Sequence, residues 1–574
     1  RFCSMPKRII FDIETNAIKD FNTLCGLKTC HCIAMSIDGK EPEIMENGDA
    51  LQLMQEAEML IGHNIMKFDL RALKRLYPDF NPKAEVRDTL VMSRLLFGDL
   101  MSTDHQAIEF PRKLMGSHSL KAWGVRLGIH KGDFGEDTDW SCFTPEMAEY
   151  CKQDVAVTAA LWKRIQEEDP DFRPTQLEHD FAAIIHAQEI NGFVFDGERA
   201  RALHSTLLDE KCRIKEQLQE VFPPAILQLK TKTKEVPFNP ASRKQIAERL
   251  IEKYDWEPAD FTESGQPKVD ETVLQSLPYP EAKLVARYLL VNKRLGQLAE
   301  GENAWLRLEK GGRIHGSVNP CGCVSTRCTH SKPNMAQVPS VGSPWGKECR
   351  ELFMVEPGNV LVGADMSGLE LRMLAHYVHP YDQGRYIEEI LNGDIHSANQ
   401  EAAGLDTRNQ AKTFIYAFLY GAGDEKIGSI VGGGRAAGRR IKQQFLRRMP
   451  GIQKLQQAIK TAIRQRPHLV ALDGRKLKIR SEHSALNLLL QSAGSIAMKK
   501  ATVNLWNYLS HMPSIKARQV AHVHDEIQIE CRERQGDEVG KLAVDAMKDA
   551  GNDLNVKCPL TGEYKIGYNW AETH

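Results

Sequence analysis

An apolar run that ends at a carboxylate organises the second half of this chain: Val360-Leu361-Val362-Gly363-Ala364-Asp365-Met366-Ser367-Gly368-Leu369-Glu370. The β-branched residues at its start favour a buried strand, and the apolar residues from Leu369 onward favour a helix. Ser367 is of a residue type that caps helix N-termini, so we expect it to cap this helix. The pattern therefore predicts that Asp365 lies at the carboxyl end of a buried strand.

A second carboxylate is predicted at the tip of a hairpin, in Val520-Ala521-His522-Val523-His524-Asp525-Glu526-Ile527-Gln528-Ile529. Apolar residues alternate on both sides of His524 and Asp525, which is typical of two strands joined by a tight turn. Two aspartates a few ångströms apart repel by roughly 4 kcal/mol at an effective dielectric constant of 20, so such a pair usually shares a cation or a proton. Oxygen ligands favour Mg²⁺ bound together with a substrate phosphate.

Three motifs in this order resemble the signatures of family A DNA polymerases, in particular the short replicative enzymes of bacteriophages. They are Asp365-Met366-Ser367-Gly368-Leu369-Glu370-Leu371-Arg372, Arg408-Asn409-Gln410-Ala411-Lys412-Thr413-Phe414-Ile415-Tyr416-Ala417-Phe418-Leu419-Tyr420-Gly421, and His524-Asp525-Glu526. Shorter similarities at Gly393-Asp394-Ile395-His396 and Asn487-Leu488-Leu489-Leu490-Gln491 extend the resemblance over most of the chain. The order and spacing of these motifs make chance a poor explanation.

The resemblance implies a template-directed DNA polymerase that adds dNTPs to the 3′ end of a primer. Asp365, Asp525 and the Met366 carbonyl would bind two Mg²⁺ ions, and Glu526 would belong to the same catalytic group. Glu370 would select the sugar of the incoming nucleotide. The residues implied to contact DNA are Arg327, Tyr420, Gln491 and His524. For Arg327 the alternative is an ordinary surface arginine.

The segment from Arg408 to Tyr420 predicts a nucleotide-binding helix. At 1.5 Å rise per residue, Arg408, Lys412 and Tyr416 share one helical face at intervals of about 6 Å. The two cations would hold triphosphate oxygens, and Tyr416 would pack near sugar and base. The alternative is an amphipathic helix with a cationic edge. His396 resembles the family histidine that contacts the triphosphate, although a lone histidine is more often structural.

A second acidic site is predicted near the N-terminus. The strand pattern over 8–15 puts Asp12 and Glu14 on one face, which by itself fits a metal site or a half-exposed edge strand equally well. Asp69 supplies a third carboxylate, and Tyr150 and Asp154 stand one helical turn apart. Together these motifs resemble proofreading 3′ to 5′ exonucleases of the ribonuclease-H-like fold. The resemblance implies two Mg²⁺ ions on the four carboxylates, with Tyr150 orienting the attacking water.

The composition is that of an ordinary globular protein, with positive charge concentrated in one segment. The 574 residues carry a net charge of −1, with 26% charged and 42% hydrophobic residues, which is ordinary for a multidomain globular protein. Residues 431–480 hold fourteen Lys or Arg and a single acidic residue, so an anionic partner is predicted there. Without a membrane span or signal peptide, we expect a cytoplasmic protein. Met5 is expected to be the natural start.

The cysteines predict reduced thiols rather than a metal centre. The sequence holds 13 cysteines at irregular spacing. Cys321, Cys323, Cys328 and His330 could suggest zinc, but their spacing fits none of the usual zinc patterns. By resemblance, the surrounding segment is a DNA-contact motif that carries no metal.

The expected architecture is an α/β multidomain chain, in which a ribonuclease-H-like exonuclease domain precedes a right-hand polymerase domain. The predicted boundaries are 1–174 for the exonuclease domain, 175–306 for the thumb, 307–378 and 487–574 for the palm, and 379–486 for the fingers. Expected partners are primer-template DNA, dNTPs and single-stranded DNA 3′ ends, for a monomer that can work with a replisome helicase-primase. The run between Phe222 and Asn239 is too short for the thioredoxin-binding insertion of some phage relatives. Lys230, Lys232 and Lys234 in it could still touch phosphates.

Two other functions compete with this prediction. Single-subunit RNA polymerases share the palm carboxylates and the Arg, Lys, Tyr helix, but Glu370 and the exonuclease carboxylates argue against them. A nucleic-acid binding protein with decayed sites would not be expected to keep all six acidic ligands. Primer extension with dNTPs or rNTPs, with and without Mg²⁺, separates these alternatives.

Overall fold

The computed structural model describes residues 7–107, 109–129, 139–168, 173–228 and 233–574, so Met5 lies outside the described ranges. Its first region is a sheet flanked by helices. The elements of this region are β1 (Arg8–Thr15), β2 (Cys30–Ile37), β3 (Glu43–Met45), α1 (Asn47–Glu56), β4 (Met59–Gly62), α2 (Asp69–Leu76), β5 (Glu85–Asp88), α3 (Thr89–Leu96), α4 (Leu100–Gln106), α5 (Leu120–Leu127) and α6 (Pro145–Glu168).

β1 lies at the centre of a five-stranded sheet of order β3-β2-β1-β4-β5. It pairs antiparallel with β2 and parallel with β4. Its alternation divides the strand between two cores: Ile9, Phe11 and Ile13 pack in one, and Ile10 packs in the other together with residues of α6. Asp12 and Glu14 follow Ile10 on the α6 side, because side chains two residues apart share a face.

A predominantly helical region follows, and it packs around an aromatic core that contains Phe193, Phe195, Trp305 and Phe353. Its elements are α7 (Arg173–Asn191), β6 (Phe193–Phe195), α8 (Gly197–Val221), β7 (Ala225–Gln228), β8 (Thr233–Val236), α9 (Arg243–Tyr254), α10 (Glu271–Ser276), α11 (Pro280–Leu295) and α12 (Trp305–Leu308). β7 and β8 form an antiparallel hairpin within the run between Phe222 and Asn239. In this hairpin Lys234 is exposed, whereas Lys230 and Lys232 lie outside the described residues.

The remaining elements include a second, four-stranded sheet, two strands that pair with β6, two short hairpins and a group of helices. They are β9 (Arg313–Ile314), β10 (Ser317–Asn319), β11 (Thr329–Ser331), α13 (Gly346–Glu351), β12 (Phe353–Met354), β13 (Asn359–Met366), α14 (Leu369–Asp382), α15 (Arg385–Asn392), α16 (Ile395–Ala403), α17 (Arg408–Leu419), α18 (Asp424–Ser429), α19 (Arg435–Arg448), α20 (Pro450–Gln465), β14 (His468–Val470), β15 (Lys476–Lys478), α21 (Ala485–Ser510), β16 (Ala517–Val523), β17 (Glu526–Arg532), α22 (Gly536–Asp553) and β18 (Gly562–Gly567).

α7 connects the two halves of the molecule. It packs against α3 of the first region and against α21 and β16 of the second sheet region. The predicted thumb begins inside this helix, at residue 175, yet its packing partners are elements of the predicted exonuclease and palm. That boundary stays a prediction, and the position of α7 gives it a physical reason to be revised.

The second sheet has the order β16-β17-β13-β18, and all of its pairings are antiparallel. β13 is buried on both faces: Val360, Val362 and Ala364 face one core, and Leu361 faces the other. Gly363 is needed because a Cβ there would lie 2.3 Å from the Thr573 carbonyl oxygen, where the C-terminal segment crosses the strand.

The strand-turn-helix prediction around Asp365 is confirmed, but the predicted cap is wrong. Gly368, with φ +56°, is the N-cap residue of α14, and no side chain caps this helix. Because Ser367 lies one position too early, the turn is made by the left-handed conformation that glycine adopts without a Cβ penalty. Within the described ranges, no helix combines the length and the apolar composition that a membrane span requires.

Candidate active sites

Asp365 and Asp525 are brought together by two neighbouring strands of the second sheet. Asp365 is the penultimate residue of β13, and Asp525 lies in the turn between β16 and β17. The Met366 amide donates a hydrogen bond to the Asp525 carbonyl oxygen at 3.1 Å, which fixes this turn to the end of β13. The turn itself is tight, with His524 at φ +57°. The predicted hairpin and the position of its carboxylate are confirmed.

The two carboxylates disfavour each other's charge. Partial burial and the Asp525 carboxylate raise the pKa of Asp365 to about 7. Burial and the Glu370 carboxylate raise the pKa of Asp525 to about 6. The Asp365 side chain is nevertheless open to solvent at the strand end. A cation at this point would relieve the repulsion between the pair.

Glu526 has a different environment from its neighbour Asp525. Its Oε1 accepts hydrogen bonds from Trp570 Nε1 at 2.5 Å and Gln528 Nε2 at 2.6 Å. Its Oε2 lies 2.9 Å from His574 Nδ1. Although burial opposes its charge, these contacts hold the pKa of Glu526 below its usual range. Glu526 therefore anchors the C-terminal segment beneath the hairpin.

Glu370, Arg327 and Tyr420 form one polar group beside the aspartates. Arg327 Nη2 lies 3.7 Å from Glu370 Oε1, and the Tyr420 hydroxyl donates to the same oxygen at 3.3 Å. The Arg327 cation offsets part of the rise that burial and Glu370 cause in the pKa of Asp525, so it lies near the β16–β17 turn. Gln491 lies half-buried on α21, and His524 is exposed at the hairpin tip.

α17 presents the predicted cationic face. Its start is fixed by a capping box, in which Thr407 and Gln410 exchange hydrogen bonds. Phe414, Ile415 and Phe418 are buried against the core, whereas Arg408 and Lys412 are exposed.

The structure adds an acidic partner that the sequence did not predict. Arg408 Nε and Nη2 donate to the two carboxylate oxygens of Asp394 at 2.8 and 3.2 Å. Asp394 also caps α16 through the His396 amide at 3.1 Å. The His396 ring lies 6.4 Å from the Tyr416 ring, and burial together with Arg408 and Lys412 lowers the pKa of His396. His396, Arg408, Lys412 and Tyr416 are therefore neighbours.

The N-terminal carboxylates also meet in one place. An open cavity of about 550 Å³ is lined by all five predicted residues, which are Asp12, Glu14, Asp69, Tyr150 and Asp154. Asp69 Oδ1 accepts a hydrogen bond from the Ile13 amide at 3.3 Å, so α2 is fixed directly to β1. Burial and the Asp88 and Asp154 carboxylates raise the pKa of Asp69 to about 7.

Cys151 lies buried behind this cavity, in contact with Asp12, and sequence reasoning missed it. Atoms of Asp12, Glu14 and Cys151 that could bind a metal lie within 4.8 Å of one another. The Cys151 thiol donates to the Asp12 carbonyl oxygen at 3.4 Å and is fully buried. Its place directly after Tyr150 in the sequence could have indicated that it lies near the carboxylates.

The other cysteines agree with the thiol prediction. Every cysteine in the described ranges is free. Cys321 is buried and Cys328 is half-buried, and desolvation raises the pKa of Cys328 to about 12. In the same ranges, Cys321, Cys323, Cys328 and His330 do not form a cluster of potential metal ligands.

Comparisons with known proteins agree with the geometry. The model of DNA polymerase family A matches residues 212–572. The DNA-directed DNA polymerase of Escherichia phage T7 is 35% identical over 704 aligned residues, covering 99% of this chain and 100% of that protein. The chain belongs to DNA polymerase family A. The DNA-directed DNA polymerase of Enterobacteria phage T3 is 36% identical over 662 residues, covering 92% of this chain and 94% of that protein.

A solved structure shares the fold of this family A polymerase. The Pol domain of Pol1 from M. smegmatis, in complex with DNA primer-template and dNTP, has a TM-score of 0.77 at 18% identity, with coverage of 98% of this chain and 96% of that one. The family match and the similarity to the T7 and T3 enzymes show that the chain is a phage-type, template-directed DNA polymerase, which argues against the RNA polymerase alternative.

Family A polymerases use divalent metal ions, generally Mg²⁺. The donor sets fit this chemistry. At the second sheet, two carboxylates whose pKa values are raised by burial and by neighbouring carboxylates are hard oxygen ligands of the kind Mg²⁺ prefers. The N-terminal cavity likewise gathers carboxylates from β1, α2 and α6.

Proposed function

We propose that this phage-type polymerase extends primers at Asp365 and Asp525 and removes 3′-terminal nucleotides at the N-terminal cavity. The observation that carries the first activity is the meeting of two aspartates, from β13 and the β16–β17 turn, beside the cationic face of α17. The second activity is supported by four carboxylates and one tyrosine lining a single cavity.

In the extension reaction, the 3′-hydroxyl oxygen of the primer attacks the α-phosphorus of a dNTP, and pyrophosphate leaves. Bound Mg²⁺ would make the hydroxyl a better nucleophile and neutralise charge on the phosphates. Asp365, Asp525 and the Met366 carbonyl supply the ligand oxygens. Arg408 and Lys412 donate to triphosphate oxygens, with His396 beside them.

The sugar of the dNTP would be held between Glu370 and Tyr416, which excludes a 2′-hydroxyl. Arg327, Tyr420, Gln491 and His524 would contact the primer-template, where minor-groove acceptors do not distinguish base order. Arg408 is bound to Asp394 in this structure. An incoming triphosphate must therefore compete with Asp394 for the guanidinium group.

The N-terminal region is proposed to be a ribonuclease-H-like 3′ to 5′ exonuclease domain. Asp12, Glu14, Asp69 and Asp154 would bind two Mg²⁺ ions, and Tyr150 would orient the attacking water. Single-stranded DNA 3′ ends are the proposed substrate. The support is a β1-centred mixed sheet whose functional face carries Asp12 and Glu14 toward α6.

The right-hand arrangement and its partners belong to the same proposal. The proposed boundaries are 1–174 for the exonuclease domain, 175–306 for the thumb, 307–378 with 487–574 for the palm, and 379–486 for the fingers. The boundary inside α7 is the one that the packing of this helix gives a reason to move. Primer-template DNA and dNTPs are the proposed ligands, as in the complex of the M. smegmatis domain. A monomer working with a helicase-primase, and without thioredoxin, is the proposed assembly.

Primer extension tests the polymerase assignment. Purified protein should extend a matched primer with dNTPs only when Mg²⁺ is present, and Asp525→Ala should reduce the rate by about a thousandfold. Glu538→Ala, an exposed carboxylate on α22, is the matched control and should extend normally. Unchanged extension by Asp525→Ala at equal folding would overturn the assignment.

A further inference from the structure

Four charged side chains come together where α7, the β14–β15 hairpin and α21 meet, and of these Glu178, Arg475 and Lys499 are buried while Asp473 is half-buried. Glu178 is fully buried and receives Lys499 Nζ at 2.7 and 2.9 Å and Arg475 Nη1 at 2.6 Å. Arg475 also binds Asp473, from Nη2 to Oδ2 at 2.6 Å. Two anions and two cations thus balance within one cluster, which we call the Glu178 cluster (Glu178, Asp473, Arg475 and Lys499).

The Glu178 cluster converges on one residue of a loop, Thr326. Lys499 Nζ donates to the Thr326 carbonyl oxygen at 2.7 Å, and the Ser495 hydroxyl donates to the same oxygen at 3.1 Å. Arg475 Nη1 donates to Thr326 Oγ1 at 2.9 Å. Three donors from the hairpin and from α21 therefore hold both the backbone and the side chain of this residue.

Thr326 needs such support because it has φ +58°. A β-branched residue rarely adopts the left-handed region unless its surroundings hold it there. Rotation of the peptide that follows would turn its carbonyl away from Lys499 and Ser495. The next residue along the chain is Arg327, whose direction is set by this same peptide.

Arg327 is the residue that the loop delivers to the polymerase site. Its guanidinium lies 3.7 Å from Glu370, and its backbone oxygen accepts from the Gly322 amide at 3.0 Å. We infer that the Glu178 cluster is a positioning device for primer extension, and that it acts by holding Thr326 so that Arg327 faces the primer terminus. This inference rests on the proposed role of Arg327 in contacting DNA.

A double-mutant cycle in kcat/KM for extension of a matched primer tests the inference. Lys499→Met and Arg327→Ala should each lower kcat/KM by about tenfold, and the double variant should fall less than about twofold below the weaker single variant. The reason is that an Arg327 side chain already displaced by Lys499→Met contributes little to kcat/KM, so removing it causes little further loss. A merely structural role would instead give multiplicative losses.

Two measurements separate positioning from general damage. Degradation of single-stranded DNA should stay within about twofold of the parent in Lys499→Met, because the N-terminal cavity is built on other elements. Lys500→Met is the matched control. It removes the next lysine of α21, which is partly exposed and lies 3.3 Å from Asp553, and it should extend primers at the parent rate.

Ser495→Ala provides a variant that leaves no buried charge unpaired. It deletes only one hydrogen bond to the Thr326 carbonyl and should lower kcat/KM by about two- to threefold, again without adding to Arg327→Ala. Multiplicative losses of kcat/KM in both cycles would overturn the inference. If Lys499→Met fails to fold, extension by Ser495→Ala at the parent rate would also overturn it. If Arg327→Ala leaves kcat/KM for extension unchanged, both the proposed DNA contact and the inference are overturned. If the losses are multiplicative but Arg327→Ala lowers kcat/KM, only the inference is overturned.

Discussion

Asp365 sits where its own charge is unfavourable. Its pKa is raised to about 7 by partial burial and by Asp525, from an ordinary value of 3.8. A group whose pKa is higher in the folded state than in the unfolded state binds its proton more tightly when folded. Its contribution to the free energy of unfolding is therefore complete at about pH 4 and is lost as the pH rises toward about 7 and above.

Asp365→Asn should consequently raise the melting temperature of the metal-free protein at about pH 8, by roughly one to two degrees, and should change it little at about pH 4. Added Mg²⁺ should stabilise the parent more than the variant, because a ligand that binds only the folded state raises its stability. Thermal unfolding in EDTA and in Mg²⁺ measures both effects. Glu538→Gln is the control, and a variant less stable than the parent at high pH would contradict the prediction.

Glu370 contacts both Arg327 and Tyr420, so its carboxylate is held at a defined place beside the aspartates. Glu370→Ala should raise the incorporation of a ribonucleotide relative to the matching deoxyribonucleotide by about tenfold or more, since it opens the space that a 2′-hydroxyl would need. Single-nucleotide insertion kinetics with each nucleotide give the ratio. Glu348→Ala, on α13, is a control, and an unchanged ratio in Glu370→Ala would remove the sugar-selecting role.

Among the elements, α17 has an apolar side that packs in the core and a cationic side that faces outward. Its apolar side is buried with Phe414, Ile415 and Phe418 at 0 to 7% exposure, while Arg408 and Lys412 on its cationic side are exposed. Asp394, from the cap of α16, forms an ion pair with Arg408, whereas Lys412 has no ion-pair partner among the described residues. Lys412 could therefore bind a triphosphate without first breaking an ion pair, whereas Arg408 would have to leave Asp394.

Lys412→Ala should raise the KM for dNTP by about ten- to a hundredfold, because it removes a charge-assisted hydrogen bond to the triphosphate. Steady-state extension at varied dNTP concentration measures this effect. Lys426→Ala, an exposed lysine on α18, should stay close to the parent. Equal KM values for the two variants would contradict a triphosphate contact by Lys412.

At the scale of the whole molecule, the two candidate sites rest on separate hydrophobic cores. The β1 sheet packs against its own helices, and the β13 sheet packs between two other cores. Damage at one set of carboxylates should therefore leave the other set intact.

Asp12→Ala with Glu14→Ala should lower degradation of single-stranded DNA by at least about a thousandfold while matched-primer extension continues at the parent rate. Removing these two predicted metal ligands from β1 leaves the β13 sheet and α17 unchanged. A double control, Glu41→Ala with Glu43→Ala, removes two exposed carboxylates at the edge of the same sheet. Loss of extension in the Asp12 and Glu14 variant at equal stability would show that the two regions do not act independently.

The sequence by itself determined the local elements that carry the chemistry. The strand over Arg8–Thr15, the strand ending near Asp365, the hairpin around Asp525 and the helix beginning at Arg408 were all predicted from periodicity and turn residues. These patterns succeed because strand and helix formation depend on neighbours within a few residues. The family motifs then predicted which polar residues on those elements are functional.

Only the tertiary structure decided which distant side chains became partners. Lys499 and Glu178 are 321 residues apart in the chain, and no periodicity relates them. The pairing of Arg408 with Asp394, the position of α7 between the two sheet regions and the support of Thr326 all depend on how whole elements pack. The physical reason is that burial forces charged groups to find opposite charges or hydrogen-bond partners, and packing decides which groups are within reach.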